Sequence, residues 1–307
     1  MMRTRCAAWV LAVALGASTG CPRPAEPERR THPSTASAPP ALSRTPAAPS
    51  SAIAKGAEPA AASSAVASDG AASGRAGAAT GSAPAGPPPL PERTTIAFGT
   101  DRSAYVVLPH ERKGAARLIV GLHGVCNPPE YACGYWIEAA ARRGLLICPT
   151  GNARCGPAMS RAPTWTQSAV KIDEDLEAAV AAVDAAHPGL AARDGAILMG
   201  FSRGAYAAVK IAAAHPGRWP HLVLVEANVQ VSADSLGKAG VRSVALIAGE
   251  RSGQLVGQRR TAEQLTRQQF PAKLWVMPGA GHHYSADIDE IMAAALDFVV
   301  ESGMNRP

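Results

Sequence analysis

Ser202 stands at the centre of Gly200-Phe201-Ser202-Arg203-Gly204, with the apolar run Ala196-Ile197-Leu198-Met199 before it and Ala205-Tyr206-Ala207-Ala208 after it. A strand that passes into a helix through Gly-x-Ser-x-Gly holds its serine on a strained turn, where side chains at positions 200 and 204 would collide. The hydroxyl then projects at the C-terminal end of a sheet. The helix N-terminus beneath it carries a partial positive charge suited to an oxyanion. This is a setting for nucleophilic chemistry, but a serine hydroxyl is a poor nucleophile near neutral pH and needs a base within hydrogen-bond reach. Two histidines, His282 and His283, sit together near the end of the chain, after Gly279-Ala280-Gly281. Carboxylates that could orient such a base follow two apolar runs, Glu226 after Leu222-Val223-Leu224-Val225 and Glu250 after the run 243–248.

The elements that must position these groups are legible as periodicity. Strands are expected at 94–98, 104–108, 117–122, 145–148, 196–199, 222–225, 243–248 and 273–277. Helices are expected at 135–143, 172–186, 205–214, 261–269 and 288–300. Alternating strands and helices, with nearly continuous apolar character in the strands, imply a mostly parallel sheet covered on both faces.

Composition divides the 307 residues near position 92. Residues 22–92 contain no Phe, Trp or Tyr and are dominated by Ala, Pro, Ser and Gly. Such a stretch cannot bury enough apolar surface to offset its ordering entropy, and it is read as a disordered tether before a single folded domain at 93–307. The net charge of +6 divides evenly, since residues 1–92 hold eight basic and five acidic side chains. No basic block interleaved with aromatics stands out, which argues against nucleic-acid binding.

Residues 1–21 combine basic Arg3 and Arg5, an apolar run at 7–15 and small residues up to Cys21. That pattern predicts a secretory signal, too short for a stable membrane span. Leu15-Gly16-Ala17-Ser18-Thr19-Gly20-Cys21 resembles a bacterial lipoprotein signal, although Ser18 stands where such signals usually carry Leu. The resemblance implies a lipid anchor at Cys21 on the bacterial cell envelope, with ordinary secretion as the alternative. Four cysteines remain for the domain: Cys126, Cys133, Cys148 and Cys155. In an oxidising compartment an even count favours two disulfides among three possible pairings. The local pairing, Cys126 with Cys133 and Cys148 with Cys155, is the expectation. Zinc-type ligand spacing is absent, so neither a metal nor an organic cofactor is expected.

With this order of elements and an elbow after the fifth strand, residues 93–307 resemble the α/β-hydrolase superfamily. Leu122-His123-Gly124 and Gly279-Ala280-Gly281-His282 are similar to loops of dienelactone-hydrolase-like, polyester-depolymerase-like and feruloyl-esterase-like secreted esterases. The resemblance implies an α/β-hydrolase fold, with His282 as the base and His283 as a flanking residue. It implies an acid after the strand 243–248, where relatives commonly place Asp three residues beyond a glycine. Ser252 holds that position here. Glu250 is therefore the expected acid, with Glu226 as the alternative because some members carry theirs one strand earlier. Asp287 and Asp289 are read as helix-start residues.

The backbone N–H groups of Arg203 and Val125 are the expected oxyanion donors. His123 is expected to support its loop, and Trp165 and Tyr284 to lie at the pocket mouth or pack beneath it. The expected activity is exported carboxylic ester hydrolysis through an acyl-enzyme on Ser202, acting on a small-molecule or polymeric ester. A serine peptidase of the same fold and a catalytically silent binding domain are the alternatives.

Overall fold

The computed structural model describes residues 90–304, apart from Lys113. The expected signal at 1–21 and all of the expected tether except 90–92 lie outside the described residues. Among those described, eight strands form one sheet in the order β1-β2-β4-β3-β7-β8-β9-β10. They are β1 (Arg93–Phe98), β2 (Arg102–Val107), β3 (Ala116–Leu122), β4 (Leu145–Pro149), β7 (Ala191–Phe201), β8 (His221–Val225), β9 (Ser243–Gly249) and β10 (Ala272–Met277). From β4 through β10 the neighbours pair in parallel, while β2 runs antiparallel to both β1 and β4. The short strands β5 (Ala153–Arg154) and β6 (Pro163–Thr164) form a separate antiparallel pair.

Buried strands with side chains on both faces require cover on both. One face packs Val120, Leu198, Leu222 and Leu224 against α3 (Ala169–Ala186) and α4 (Arg203–Ala214). The other packs Ile119, Ile197, Val223 and Ile247 against α1 (Pro129–Cys133), α2 (Ile137–Ala141) and α7 (Ile288–Met304). Alternation along each strand divides these residues between the two faces. Two further helices, α5 (Ala233–Lys238) and α6 (Leu255–Arg267), complete the alternation. No described helix is long and apolar enough to cross a membrane.

Every expected strand is present, but several bounds move for tertiary reasons. β7 begins at Ala191 rather than 196 because Gly195, at φ +65°, lets the chain bend past the Arg117 side chain and keep pairing with β3. α3 begins at Ala169, where the Ser168 hydroxyl accepts the Lys171 N–H as a cap. α6 begins six residues before the expected helix. Its Gly257 lies against Asn228, and buried Gln258 donates to the carbonyls of Leu224 and Ala227. A glycine and an amide that read locally as loop are here helix residues gripping the end of β8. The expected helix at 135–143 is present as the shorter α2, and α1 precedes it as a helix the sequence did not suggest, with Trp136 between them donating to Ala132 O.

The disulfides are Cys126–Cys155 and Cys133–Cys148, not the expected local pairs. Parallel pairing of β3 and β4 explains the correction, because it brings their C-terminal ends side by side. Cys126, just beyond β3, then meets Cys155 beyond β4, while Cys148 within β4 meets Cys133 of α1. A Cβ on Gly121 would stand 2.6 Å from both sulfurs of the second pair, so the crossing requires glycine.

Candidate active site

The elbow forms where β7 ends and α4 begins. Ser202 adopts φ 53° and ψ −116°, a strained region for a side-chain-bearing residue and one found at functional turns. Its two glycines are steric necessities. A Cβ at position 200 would lie 2.3 Å from the Gly204 carbonyl carbon, and one at 204 would lie 2.2 Å from Leu122 O.

His282 arrives on the loop between β10 and α7, with its Nε2 2.9 Å from Ser202 Oγ. Its Nδ1 lies 3.0 Å from Glu226 Oε2. The carboxylate can only accept, so Nδ1 carries the proton and donates to Glu226, leaving Nε2 to accept from the serine hydroxyl. Glu226 is 1% exposed and directly follows β8, at φ 54°. Its Oε1 accepts from Gly249 N–H, and its Oε2 also accepts from the Ser252 hydroxyl at 2.5 Å. A buried carboxylate is tolerable when its lone pairs are filled in this way.

Glu250, the acid expected from the sequence, stands elsewhere. It is exposed, and its Oε2 accepts from Gly279 N–H at 2.8 Å, bracing the turn that leads to His282. The physical reason is direction. Glu250 N–H bonds to Met277 O and fixes the residue at the side of the histidine loop. Glu226, one strand nearer Ser202 in the sheet, points beneath the imidazole. His283 is turned aside, with Nδ1–H donating to Tyr284 O at 2.9 Å and Nε2 accepting from Gly281 N–H at 3.2 Å. Asp289 accepts Ala139 N–H rather than approaching the histidine, and Asp287 accepts the Ser285 hydroxyl.

Val125 and Arg203 line the same cavity as Ser202. Neither backbone N–H has an acceptor among the described residues, as two donors awaiting an oxyanion would require. A Cβ on Gly124 would lie 3.1 Å from the Phe201 ring and 3.5 Å from Ser202 Cβ, so the loop after β3 runs directly beside Ser202.

That loop is held by His123, which is fully buried. Its Nδ1–H donates to Gly124 O at 2.8 Å, its Nε2 accepts from Gly151 N–H at 2.8 Å, and its ring stacks on Trp165 at 4.7 Å. Trp165 Nε1–H in turn donates to His123 O at 2.8 Å. Burial lowers the His123 pKa to about 4, with Arg154 adding to the effect and the Gly124 hydrogen bond opposing it, so the ring stays neutral as a strut. The Arg203 guanidinium donates to the carbonyls of Trp165 and Thr166, closing the far side of the loop pair.

The cavity beside Ser202 measures about 420 Å³ and is walled by Trp165, Ile172, Tyr206 and Ala207, with Lys210 at its rim. Trp165 is thus both packing and pocket wall. Tyr284 is 8% exposed, stacks on Tyr131 at 5.9 Å and donates to Ala132 O, so it ties the histidine loop to α1. Among the described residues no group of three His, Cys, Asp or Glu is placed to hold a metal ion.

Sequence reasoning marks Ser252 only as the place of an absent acid and gives it no role, since its importance lies in the partner it meets across the sheet. The available signal was a small hydroxyl residue where relatives place their acid.

No protein-family model and no curated protein matches the sequence. Solved structures do resemble the fold. A ferulic acid esterase aligns at 13% identity over 69% of this chain and 99% of its own, with a TM-score of 0.51. Esterase PE8 aligns at 20% identity over 67% of this chain and 100% of its own, with a TM-score of 0.49. A CE1 ferulic acid esterase from Anaeromyces mucronatus, solved with ferulic acid, aligns at 15% identity over 73% of this chain and 95% of its own, with a TM-score of 0.49. The sheet order, the elbow at its C-terminal end and the likeness at a TM-score of 0.51 establish that this chain has the α/β-hydrolase fold.

Proposed function

We propose that this chain hydrolyses carboxylic esters through an acyl-enzyme on Ser202, with His282 as general base and acid and Glu226 as the orienting carboxylate. The observation that carries the reading is the unbroken chain of hydrogen bonds from Ser202 Oγ through His282 to buried Glu226. As Ser202 attacks the ester carbonyl, His282 Nε2 takes the hydroxyl proton and Glu226 stabilises the resulting imidazolium. The carbonyl oxygen becomes an oxyanion and accepts from the N–H groups of Arg203 and Val125. The imidazolium then protonates the leaving alcohol, and the acyl group remains on Ser202. Water gives a proton to His282 and attacks the acyl carbon; the bond from that carbon to Ser202 Oγ then breaks, the imidazolium returns its proton to Oγ, and the carboxylic acid leaves. An ester is also the substrate class suggested by the ferulic acid esterase of the same fold.

The intact hydrogen-bond chain favours catalysis over a silent binding role. Action outside the cytoplasm is part of the proposal, supported by the two disulfides and the signal-like residues 1–21, with Cys21 as the site of lipid attachment. A panel of 4-nitrophenyl esters of increasing acyl length, run beside peptide amides, tests the activity. Ester turnover that vanishes in Ser202→Ala and His282→Ala supports the proposal, and amide turnover exceeding ester turnover redirects it to a peptidase.

A further inference from the structure

Glu226 reaches His282 from an awkward start. It is the first residue beyond β8, its backbone sits at φ 54°, and its side chain has one more rotatable bond than an aspartate. A backbone in that region persists only where surrounding contacts over-determine it. Glu226 N–H bonds to Ile247 O at 2.8 Å and Gly249 N–H holds Oε1. Neither contact fixes Oε2, the oxygen that His282 uses.

Ser252 supplies that constraint. It is 8% exposed, lies just after β9, and is anchored by its own N–H to Gly249 O at 3.0 Å. Its Oγ accepts from Gln254 N–H at 3.1 Å, and its single proton goes to Glu226 Oε2 at 2.5 Å. With the acceptor side of the hydroxyl occupied by Gln254, the donor is aimed. It meets the same carboxylate oxygen that lies 3.0 Å from His282 Nδ1. A charge-assisted hydrogen bond of this kind pins the carboxylate oxygen that faces the imidazole.

Resting on the hydrolase reading above, we propose that Ser252 is a positioning residue for the catalytic acid, and that position 252 is a second station from which a carboxylate reaches His282. The second half follows from the same distances. Ser252 Oγ touches the oxygen that contacts Nδ1, and an aspartate oxygen stands one bond further from the backbone than a serine hydroxyl does. With the Glu226 side chain removed, Ser252→Asp puts a carboxylate oxygen into the space Oε2 has left. Glycine is the suitable replacement at 226 because it adopts φ 54° without strain.

The test compares wild type, Ser252→Ala, Glu226→Gly and the double variant Glu226→Gly/Ser252→Asp on one soluble 4-nitrophenyl ester. Folding of each is checked by thermal unfolding. Ser252→Ala is expected to lose about tenfold in kcat with KM nearly unchanged, the worth of one hydrogen bond to a charged group acting on orientation rather than binding. Glu226→Gly is expected to lose roughly a thousandfold or more, as removal of a triad acid does. The double variant is expected to exceed Glu226→Gly by at least about tenfold, a recovery that a merely structural serine would not produce.

The proposal is overturned if the double variant is no more active than Glu226→Gly, or if Ser252→Ala keeps wild-type kcat. A wild type that turns over no ester and leaves Ser202 unlabelled by a fluorophosphonate refutes the hydrolase reading itself. That result is distinguishable because it comes before any variant is compared.

Discussion

Replacing both Cys126 and Cys155 by alanine separates the two jobs that the disulfide beside Val125 could do. The bond closes 29 residues, against 15 for Cys133–Cys148. Chain-entropy arithmetic gives roughly 3 to 4 kcal/mol of stabilisation for the longer loop and about 3 kcal/mol for the shorter. On stability alone the two double variants should therefore look alike. Activity should tell them apart, because Cys126 follows Val125 directly and sits at φ 54°, whereas Cys133 and Cys148 are fully buried beneath the sheet.

Complete loss of one oxyanion donor costs about 10² to 10³ in kcat. The His123 hydrogen bonds and the Trp165 stack still hold the loop when the disulfide is gone, so a smaller loss is expected. About tenfold in kcat with little change in KM is the expected result for Cys126→Ala/Cys155→Ala. Near-wild-type kcat is expected for Cys133→Ala/Cys148→Ala below its unfolding midpoint. Steady-state kinetics on a soluble ester and guanidinium unfolding of the same preparations supply both numbers. If the first pair of substitutions lowers stability and leaves kcat untouched, the disulfide is only a staple. Placement of the Val125 N–H then rests on His123 and Trp165 alone.

Three further outcomes follow from the geometry. Glu250→Gln should keep kcat within about threefold of wild type, since its bond to Gly279 N–H can be made by an amide oxygen, while Glu226→Gln should lose roughly 10³-fold or more; parallel steady-state kinetics check both. Gly204→Ala should cost about 3 kcal/mol or prevent soluble folding, because the new Cβ meets Leu122 O at 2.2 Å and His123 O at 2.8 Å, as a denaturation midpoint would register. Stability should fall on acidification: burial holds the pKa of both His123 and His221 at about 4 in the folded state, from an ordinary 6.5, with Arg117 and Arg242 helping to lower His221. Between those values the unfolded chain binds protons that the folded chain refuses, so stability is lost as pH falls through 6.5 and levels off for these groups below about 4. Each histidine contributes about 2 kcal/mol of that loss between about pH 7 and 5, and urea midpoints should show roughly half the slope in His221→Asn.

The parts of the site that were legible in the sequence are those set by local stereochemistry. Gly200 and Gly204 announce a turn that only glycines allow, and the apolar strand before them with the helix after them gives its direction. His282 was legible because its loop, too, is marked by glycines. The acid was not, because Glu226 and Glu250 each follow an apolar strand and differ only in where the sheet points them. That difference depends on β8 lying between β7 and β9, a fact of topology rather than of pattern. The disulfides were hidden for the same reason: parallel neighbours join strand ends that sequence separation keeps apart. Helix α6 was underestimated because Gly257 and Gln258 satisfy contacts across the fold, with Asn228 and the end of β8, that no local propensity records.

The central claim is that Ser202 is a nucleophile activated by His282. The most direct measurement is stoichiometric labelling of the folded protein by a fluorophosphonate, located by peptide mass spectrometry, with ester turnover followed in the same sample. One label per chain on Ser202, loss of turnover in proportion to labelling, and no label in Ser202→Ala are the predicted results, with His282→Ala labelling at least about a hundredfold more slowly. Turnover that persists in fully labelled protein, or a Ser202 that stays unlabelled in an active preparation, would contradict the account.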